Sequence, residues 1–155
     1  MLSNIGNTLL FISILLGVSI ISLSLHNLKD STKLISNNIY HLCIFQSTSI
    51  IICFFTLVVA FVISDFSLIT VYQNSHSLKP ILYKISGTWG NHEGSLLLWA
   101  IILSSFSFLF LLYNKDHPKK YRIYTLVIQN ILIIGFIFFL LFNSNPFDVV
   151  LPVPR

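Results

Sequence analysis

The stretch LCIFQSTSIIICFFTLVVAFVI, residues 42–63, contains no Asp, Glu, Lys or Arg and is apolar along most of its length. About 20 such residues form a helix that crosses the roughly 30 Å hydrocarbon core of a bilayer. Three further runs share this property, at residues 7–25, 95–112 and 123–142. Because a segment in hydrocarbon must satisfy its own backbone hydrogen bonds, each run is predicted to be a transmembrane helix.

The composition of the whole chain predicts the same class. Of 155 residues, 55% are hydrophobic and only 9% are charged, whereas a soluble domain carries about 25% charged residues. All the charged residues lie outside the four apolar runs, as expected because a charge inside a bilayer is costly. These observations exclude a soluble globular domain and a disordered chain. They predict an all-α integral membrane protein with about four transmembrane helices.

The distribution of Lys and Arg predicts the orientation. Segments 26–41 and 113–122 together hold six of these residues, and segments 64–94 and 143–155 hold three. The side richer in Lys and Arg is expected to be the cytoplasmic or matrix side. The N-terminus, the 64–94 loop and the 143–155 tail are therefore predicted to face outward. The net charge of +4 is mostly a consequence of this bias. It is therefore not interpreted as a sign of nucleic-acid binding, and no nucleic-acid partner is predicted.

The two cysteines, Cys43 and Cys53, lie in the same predicted span. Ten residues of helix separate them by about 15 Å along the axis, which is too far for a disulfide. The chain has no CxxC motif, so a thiol oxidoreductase is not predicted. Both side chains are interpreted as small apolar fillers.

Segment 64–94 differs from an ordinary connection, because it is too long for a turn and too apolar for a solvated loop. Its apolar residues form an amphipathic pattern that is interrupted at Pro80. This pattern predicts an amphipathic segment lying at the outer membrane surface before the third span. The residues of the pattern are Leu68, Val71, Tyr72, Leu78, Ile81, Leu82 and Ile85.

The sequence GTWGNHEGS, residues 87–95, leads into the third span. Asn91 or Ser95 is predicted to cap that helix, and Glu93 would lie in its first turn, where the helix dipole favours an anion. Adjacent His92 and Glu93 resemble metal or acid–base groups, but a leucine stands where a zinc HExxH motif needs its second histidine. No metal site and no catalytic residue is therefore predicted. A capped helix start anchored by aromatic residues is an alternative interpretation.

The segment ISGTWGNHEGSLLLW, residues 85–99, resembles the WGNHEGS and LLLW stretch of the CcmF family of cytochrome c-type biogenesis proteins. The preceding NSHSLKPILYKIS, residues 74–86, and the tail NPFDVVLPVPR, residues 145–155, resemble segments of that family in the same order. The motif residues that carry the resemblance are Gly87, Trp89, Gly90, Asn91, His92, Glu93, Gly94, Ser95 and Trp99.

This resemblance implies a component of the haem lyase of the cytochrome c maturation system. Such a lyase attaches haem to the CxxCH thiols of apocytochrome c at the outer face of the bacterial or mitochondrial inner membrane. The implied cofactor is haem. The implied partners are a haem chaperone, the protein that presents the apocytochrome, apocytochrome c and the remainder of the lyase.

Proteins of that family are several times longer than this chain. Their tryptophan-rich segment and the four histidines regarded as haem ligands lie downstream of the matched region. We therefore expect this chain to be an N-terminal fragment that supplies only the first helices, with the haem ligands outside it. The resemblance leaves Trp89, His92 and Glu93 as candidate contacts of the haem site or of a partner. Trp89 would stack, and His92 would donate a hydrogen bond or act as a labile ligand. Glu93 would lie near a haem propionate or cap the helix.

Two other functions stay open at the level of sequence. A non-catalytic four-helix scaffold or accessory subunit of a respiratory or transport complex would need only hydrogen bonds between helices, for which Gln129 and Asn130 are candidates. A free-standing haem protein would use His76 and His92, because bis-histidine ligation is chemically reasonable.

Overall fold

In a computed structural model, residues 1–29 and 35–150 are described. They form six helices, four of which are long and apolar enough to cross a membrane. This confirms the predicted all-α class and the four transmembrane helices. The helices are α1 (Leu2–Lys29), α2 (Asn37–Ile63), α3 (Ile69–Asn74), α4 (Ile81–Gly87), α5 (His92–Tyr113) and α6 (Lys119–Asn143).

Each long helix continues beyond the apolar run that predicts it. Most of the predicted 26–41 loop is helical, since α1 ends at Lys29 and α2 begins at Asn37. An apolar run marks only the part of a helix that lies in hydrocarbon, whereas polar residues at a helix end can be solvated there. Residues 30–34 of that loop lie outside the described residues.

The four long helices form an antiparallel ring in which α1 packs against α2 and α6, and α5 packs against the same two helices. One end of the bundle is called the motif end. It holds α3 and α4, the starts of α1 and α5, and the ends of α2 and α6. We call the opposite end, with the end of α1, the start of α2 and the connection 114–118, the basic end. The 87–95 sequence lies at the motif end.

Small and polar residues form the buried face of α1. Its buried residues recur at alternating spacings of four and three along the helix, which keeps one seam turned toward its neighbours. A Cβ atom on Gly17 would lie 2.8 Å from Gln46 Nε2 and 2.9 Å from Ile134, so glycine permits close packing there. The residues of the seam are Gly6, Leu10, Ser13, Gly17, Ile20, Ser24 and Asn27.

Short polar side chains of α2 join neighbouring helices in the interior. Ser49 Oγ lies 3.2 Å from Ser13 Oγ, and Gln46 Nε2 donates to the Ser13 carbonyl at 3.3 Å. On the other side, Ser47 Oγ donates to the Ser104 carbonyl of α5 at 3.0 Å. These bonds hold α2 between α1 and α5, because unpaired polar groups are expensive in hydrocarbon.

The interhelical hydrogen bond predicted for Asn130 is wrong. Asn130 Nδ2 donates to the Leu126 carbonyl of its own helix at 3.0 Å, since a carbonyl four residues earlier lies within reach. Gln129 Oε1 is buried and has no hydrogen-bond partner among the described residues. Cys43 and Cys53 are buried and free, as their spacing predicts.

The segment after α6 folds back over the motif end. Phe147 is fully buried, and its ring fills the space above Gly6, where a Cβ atom would lie 2.4 Å from the ring. Ser3 Oγ donates to the Phe147 carbonyl at 2.7 Å, and Asn145 Nδ2 donates to Asn7 Oδ1 at 2.8 Å. The predicted outer tail is therefore attached to the start of α1.

The same segment pairs with the chain before α3. The Ile69 N–H donates to the Asp148 carbonyl and the Val150 N–H donates to the Ser67 carbonyl, both at 2.9 Å. This short backbone pairing connects the region after α2 to the region after α6. Residues 151–155 of the tail lie outside the described residues.

Replacement of Phe147 with alanine is expected to lower the free energy of unfolding by about 3 kcal/mol or more, because a large buried side chain is lost above a glycine that cannot fill the space. The measurement is an SDS titration of the purified protein in mixed micelles, followed by circular dichroism. Phe142→Ala is the matched control, since Phe142 is 63% exposed. Equal losses in the two variants would contradict the assigned role of Phe147.

Candidate functional site at the motif end

Asn91 caps α5 and also closes the turn that precedes it. Its Oδ1 accepts a hydrogen bond from the Gly94 N–H at 2.7 Å. Its Nδ2 donates to the Gly87 carbonyl at 2.8 Å and to the Thr88 carbonyl at 3.1 Å. Since both sides of the amide are used, neither serine nor aspartate can reproduce all three bonds. Of the two predicted caps, Asn91 or Ser95, the structure has Asn91 as the N-cap, whereas Ser95 Oγ donates to the His92 carbonyl.

Gly94 allows the backbone of the turn to touch the first turn of α5. A Cβ atom at Gly94 would lie 1.6 Å from the Thr88 carbonyl oxygen, a distance that no side chain tolerates. Gly90 is less tightly confined, with a Cβ atom 3.3 Å from the Ser86 carbonyl oxygen. Gly94 is therefore required by close approach and Asn91 by hydrogen bonding.

Lys84 attaches α4 to the end of α2. Its side chain is only 9% exposed, and its Nζ donates to Ser64 Oγ at 2.6 Å. Ser64 ends α2 in the left-handed conformation, with φ 57°, and its N–H bonds to carbonyls of the last turn. A cation at a helix C-terminus is favoured by the negative end of the helix dipole.

Exposed apolar side chains lie on α4 and in the chain just before it. Leu78 is 86% exposed and Leu82 is 79% exposed, and Ile81 and Tyr83 are also exposed. The segment thus buries its lysine against the bundle and leaves these apolar side chains uncovered. This arrangement suits a surface that meets lipid or protein rather than water.

The predicted amphipathic segment is not one continuous surface. Pro80 precedes the first residue of α4, so the pattern is divided at that proline as the sequence indicates. Leu68 and Val71, which were expected on the same surface as Leu82, are fully buried at the end of the bundle. The pairing of residues 67–69 with residues 148–150 explains this correction, because it draws the start of α3 inward.

Trp89, His92 and Glu93 project from the turn. The ring of Trp89 stacks on Phe54 with centroids 6.5 Å apart and an interplanar angle of 23°. The exposed His92 ring meets Phe139 edge-on, with centroids 6.4 Å apart. Glu93 lies in the first turn of α5, where the helix dipole stabilises its charge. The turn therefore presents an aromatic face, an imidazole and a carboxylate from one rigid base.

Trp99, the last residue of the motif, lies about two helical turns away from the turn. It lies seven residues beyond His92, about 10 Å further along the helix axis, and its side chain is exposed on α5. The structure accordingly separates Trp99 from the turn. This placement indicates contact with lipid or with another helix.

His76 and His92, the two candidate haem ligands, have different surroundings in the structure. His76 Nδ1 accepts a hydrogen bond from the Leu78 N–H at 3.3 Å, and His76 lines a cavity of about 450 Å³ with Phe66 and Tyr72. The lining of that cavity does not include His92. Within residues 1–29 and 35–150, no group of three His, Cys, Asp or Glu side chains is placed to hold a metal ion. We therefore derive no step through haem bound to these residues.

Lys84 and Phe147 are the structural residues of the motif end that sequence analysis missed. The lysine stands in the amphipathic segment and would be predicted to face water or headgroups. Phe147 stands in the tail segment that resembles the family, but nothing local in the sequence connects it with Gly6.

Four helices long and apolar enough to cross a membrane, with a capped and partly exposed turn at one end of their bundle, define the class of multi-pass membrane proteins. CcmF of Escherichia coli, a cytochrome c-type biogenesis protein, is 35% identical over 157 aligned residues, which cover 98% of this chain and 24% of that protein. CycK of Rhizobium meliloti, with the same description, is 48% identical over 65% of this chain and 15% of its own length. Ccl1 of Rhodobacter capsulatus is 49% identical over 63% of this chain and 15% of its own length.

The chain belongs to the CcmF family of cytochrome c-type biogenesis proteins. It spans about a quarter or less of the length of the curated relatives it matches. No protein-family model and no solved structure matches the chain.

Replacement of Gly94 with alanine is expected to reduce the free energy of unfolding by about 3 kcal/mol or more, because the new methyl group meets the Thr88 carbonyl. Gly135→Ala is the matched control, since a Cβ atom at Gly135 has no neighbour within 4 Å. It is expected to change stability by no more than about 1 kcal/mol. SDS titration measures both variants, and an undiminished stability of Gly94→Ala would refute the close approach.

Proposed function

We propose that the chain acts in cytochrome c biogenesis as the N-terminal transmembrane part of a haem lyase. The complete protein would receive haem from a haem chaperone and attach it to the CxxCH thiols of apocytochrome c. Membership of the CcmF family supports this proposal. The single structural observation that carries it is the rigid turn at the motif end, which holds Trp89 and His92 outward on a capped helix.

The turn is suited to bind rather than to catalyse. Trp89 offers a ring face that is already oriented by Phe54, and stacked aromatic contacts favour flat apolar ligands. The His92 side chain makes no hydrogen bond within the described part of the chain, so its ring nitrogens are available to a ligand or a partner. We assign Glu93 to the helix N-terminus, where it supports the turn electrostatically.

The chemistry of haem attachment is assigned to the remainder of the longer lyase. Among the described residues, no group of three His, Cys, Asp or Glu side chains is placed to hold a metal ion, and the relatives extend far beyond the matched region. On this proposal the N-terminal helices supply a platform, and the turn contacts haem or the protein that presents apocytochrome c.

In the complete lyase, Trp89→Ala and His92→Ala are expected to lower the yield of holocytochrome c by about tenfold, which corresponds to the loss of about 1.4 kcal/mol of binding. The yield is measured by haem-dependent peroxidase staining, with lyase abundance measured by immunoblot. Trp89→Phe should keep most of the yield, because it retains a ring that can stack on Phe54.

His117→Ala is the matched control, since His117 is an exposed histidine in the 114–118 connection of the basic end. Normal holocytochrome c in all variants, at normal lyase abundance, would exclude a binding role for the turn. It would favour the alternative of a non-catalytic membrane scaffold.

We further propose that the motif end faces the periplasm or the intermembrane space and that the chain lies in a bacterial or mitochondrial inner membrane. The excess of Lys and Arg at the basic end supports this orientation. It would place the turn on the side where apocytochrome c is matured.

The orientation predicts that Ser77→Cys reacts with a membrane-impermeant maleimide in intact cells and that Lys120→Cys reacts only after permeabilisation. Both positions are exposed. The native cysteines are buried, so they should contribute little labelling. The reverse pattern of labelling would place the motif end in the cytoplasm or matrix and would overturn the proposed siting.

A further inference from the structure

Arg122 is a buried cation at the basic end. Its side chain is 5% exposed, and its Nη2 donates to Tyr40 Oη and to the Leu111 carbonyl, both at 2.9 Å. Leu111 lies in the last turn of α5, where carbonyl groups lack a helical partner. The two bonds fix the guanidinium where α2, α5 and α6 meet.

These bonds leave part of the guanidinium unused. Arg122 Nε is buried and has no hydrogen-bond partner in the described part of the chain. A buried charge is costly unless it is paired and hydrogen-bonded. Among residues 1–29 and 35–150, no hydrogen bond joins the guanidinium to the anionic partner that its burial favours.

A cavity of about 530 Å³ lies beside the guanidinium. Its polar lining consists of Asn37, Tyr40, His41, Lys115 and Arg122, and its described lining contains no carboxylate. Asn37 Nδ2 lies 3.1 Å from His41 Nε2, so those two side chains are partly paired. Arg122 and Lys115 thus provide two positive charges, one buried and one exposed, to a single cavity.

This donor set matches a phosphate group. Guanidinium groups bind phosphate oxygens through a planar fork, and an ammonium adds a mobile point charge. Asp116, next in sequence to Lys115, is exposed and does not line the cavity. The charge of the cavity is therefore not neutralised by its described surroundings.

The apolar part of the lining indicates where the phosphate comes from. Ile35, Ile44 and Leu112 share the cavity with the cations, and the cavity lies at the ends of spanning helices, at the level of lipid headgroups. Basic pockets between transmembrane helices bind anionic headgroups in this way. We propose that the cavity binds the phosphate of an anionic phospholipid, with the acyl chains lying along the apolar lining.

The purified chain in a non-ionic detergent is titrated with short-chain phosphatidylglycerol, phosphatidylcholine or inorganic phosphate, and binding is counted by native mass spectrometry. Phosphatidylglycerol is expected to bind about fivefold more tightly than phosphatidylcholine. Arg122→Gln should abolish this preference. Lys115→Gln should weaken it about threefold. Because Lys115 is exposed, this second change leaves the fold intact.

Lys120→Gln is the control, because Lys120 carries the same charge at the same end, is exposed and does not line the cavity. It should leave the preference unchanged. Equal binding of the two lipids, or equal loss in Lys120→Gln and Lys115→Gln, would overturn the proposal. Binding of inorganic phosphate that depends on Arg122, without preference for phosphatidylglycerol, would identify a free anion as the ligand and would overturn the assignment to lipid.

Discussion

Close packing at small residues is the contact on which the rest of this bundle depends. In a bilayer, apolar side chains gain little by leaving lipid for another helix, so association relies on tight packing and on hydrogen bonds between helices. Because Gly17 has no side chain, Gln46 packs closely against the seam of α1, and the ring of Phe147 packs against Gly6 in the same way. Because these contacts fix α1 against α2 and the segment after α6, the motif end has a rigid base on which the turn before α5 is built.

The turn divides its residues into two kinds. Asn91 and Gly94 are needed for the backbone to close, one through three hydrogen bonds and the other through the absence of a side chain. Trp89 and His92 are not needed for that closure, and they face outward. The structural interpretation of the motif and the binding interpretation are therefore compatible, since they concern different side chains of the same turn.

The sequence predicted the features that depend on local chemistry. The exclusion of charge from 42–63 and the other apolar runs located four helices, and capping chemistry limited the cap of α5 to Asn91 or Ser95. It did not predict the packing of Phe147 on Gly6 or the burial of Lys84, because each depends on a partner distant in sequence. For Asn130, the predicted hydrogen bond between helices does not form, because the side chain donates to a carbonyl of its own helix instead.

The two buried cations share a physical cause but have different consequences. The Lys84 side chain reaches from α4 to the C-terminus of α2, and the Arg122 side chain reaches from the first turn of α6 to the last turn of α5, where unpaired carbonyls and the helix dipole both favour positive charge. The single side-chain nitrogen of Lys84 is hydrogen-bonded to Ser64. The guanidinium of Arg122 has three nitrogens, and its buried Nε has no hydrogen-bond partner in the described part of the chain. The excess donor capacity at the basic end, beside a cavity with a second cation, is what makes that end a binding site for an anion, whereas the end of α2 serves as an attachment for α4.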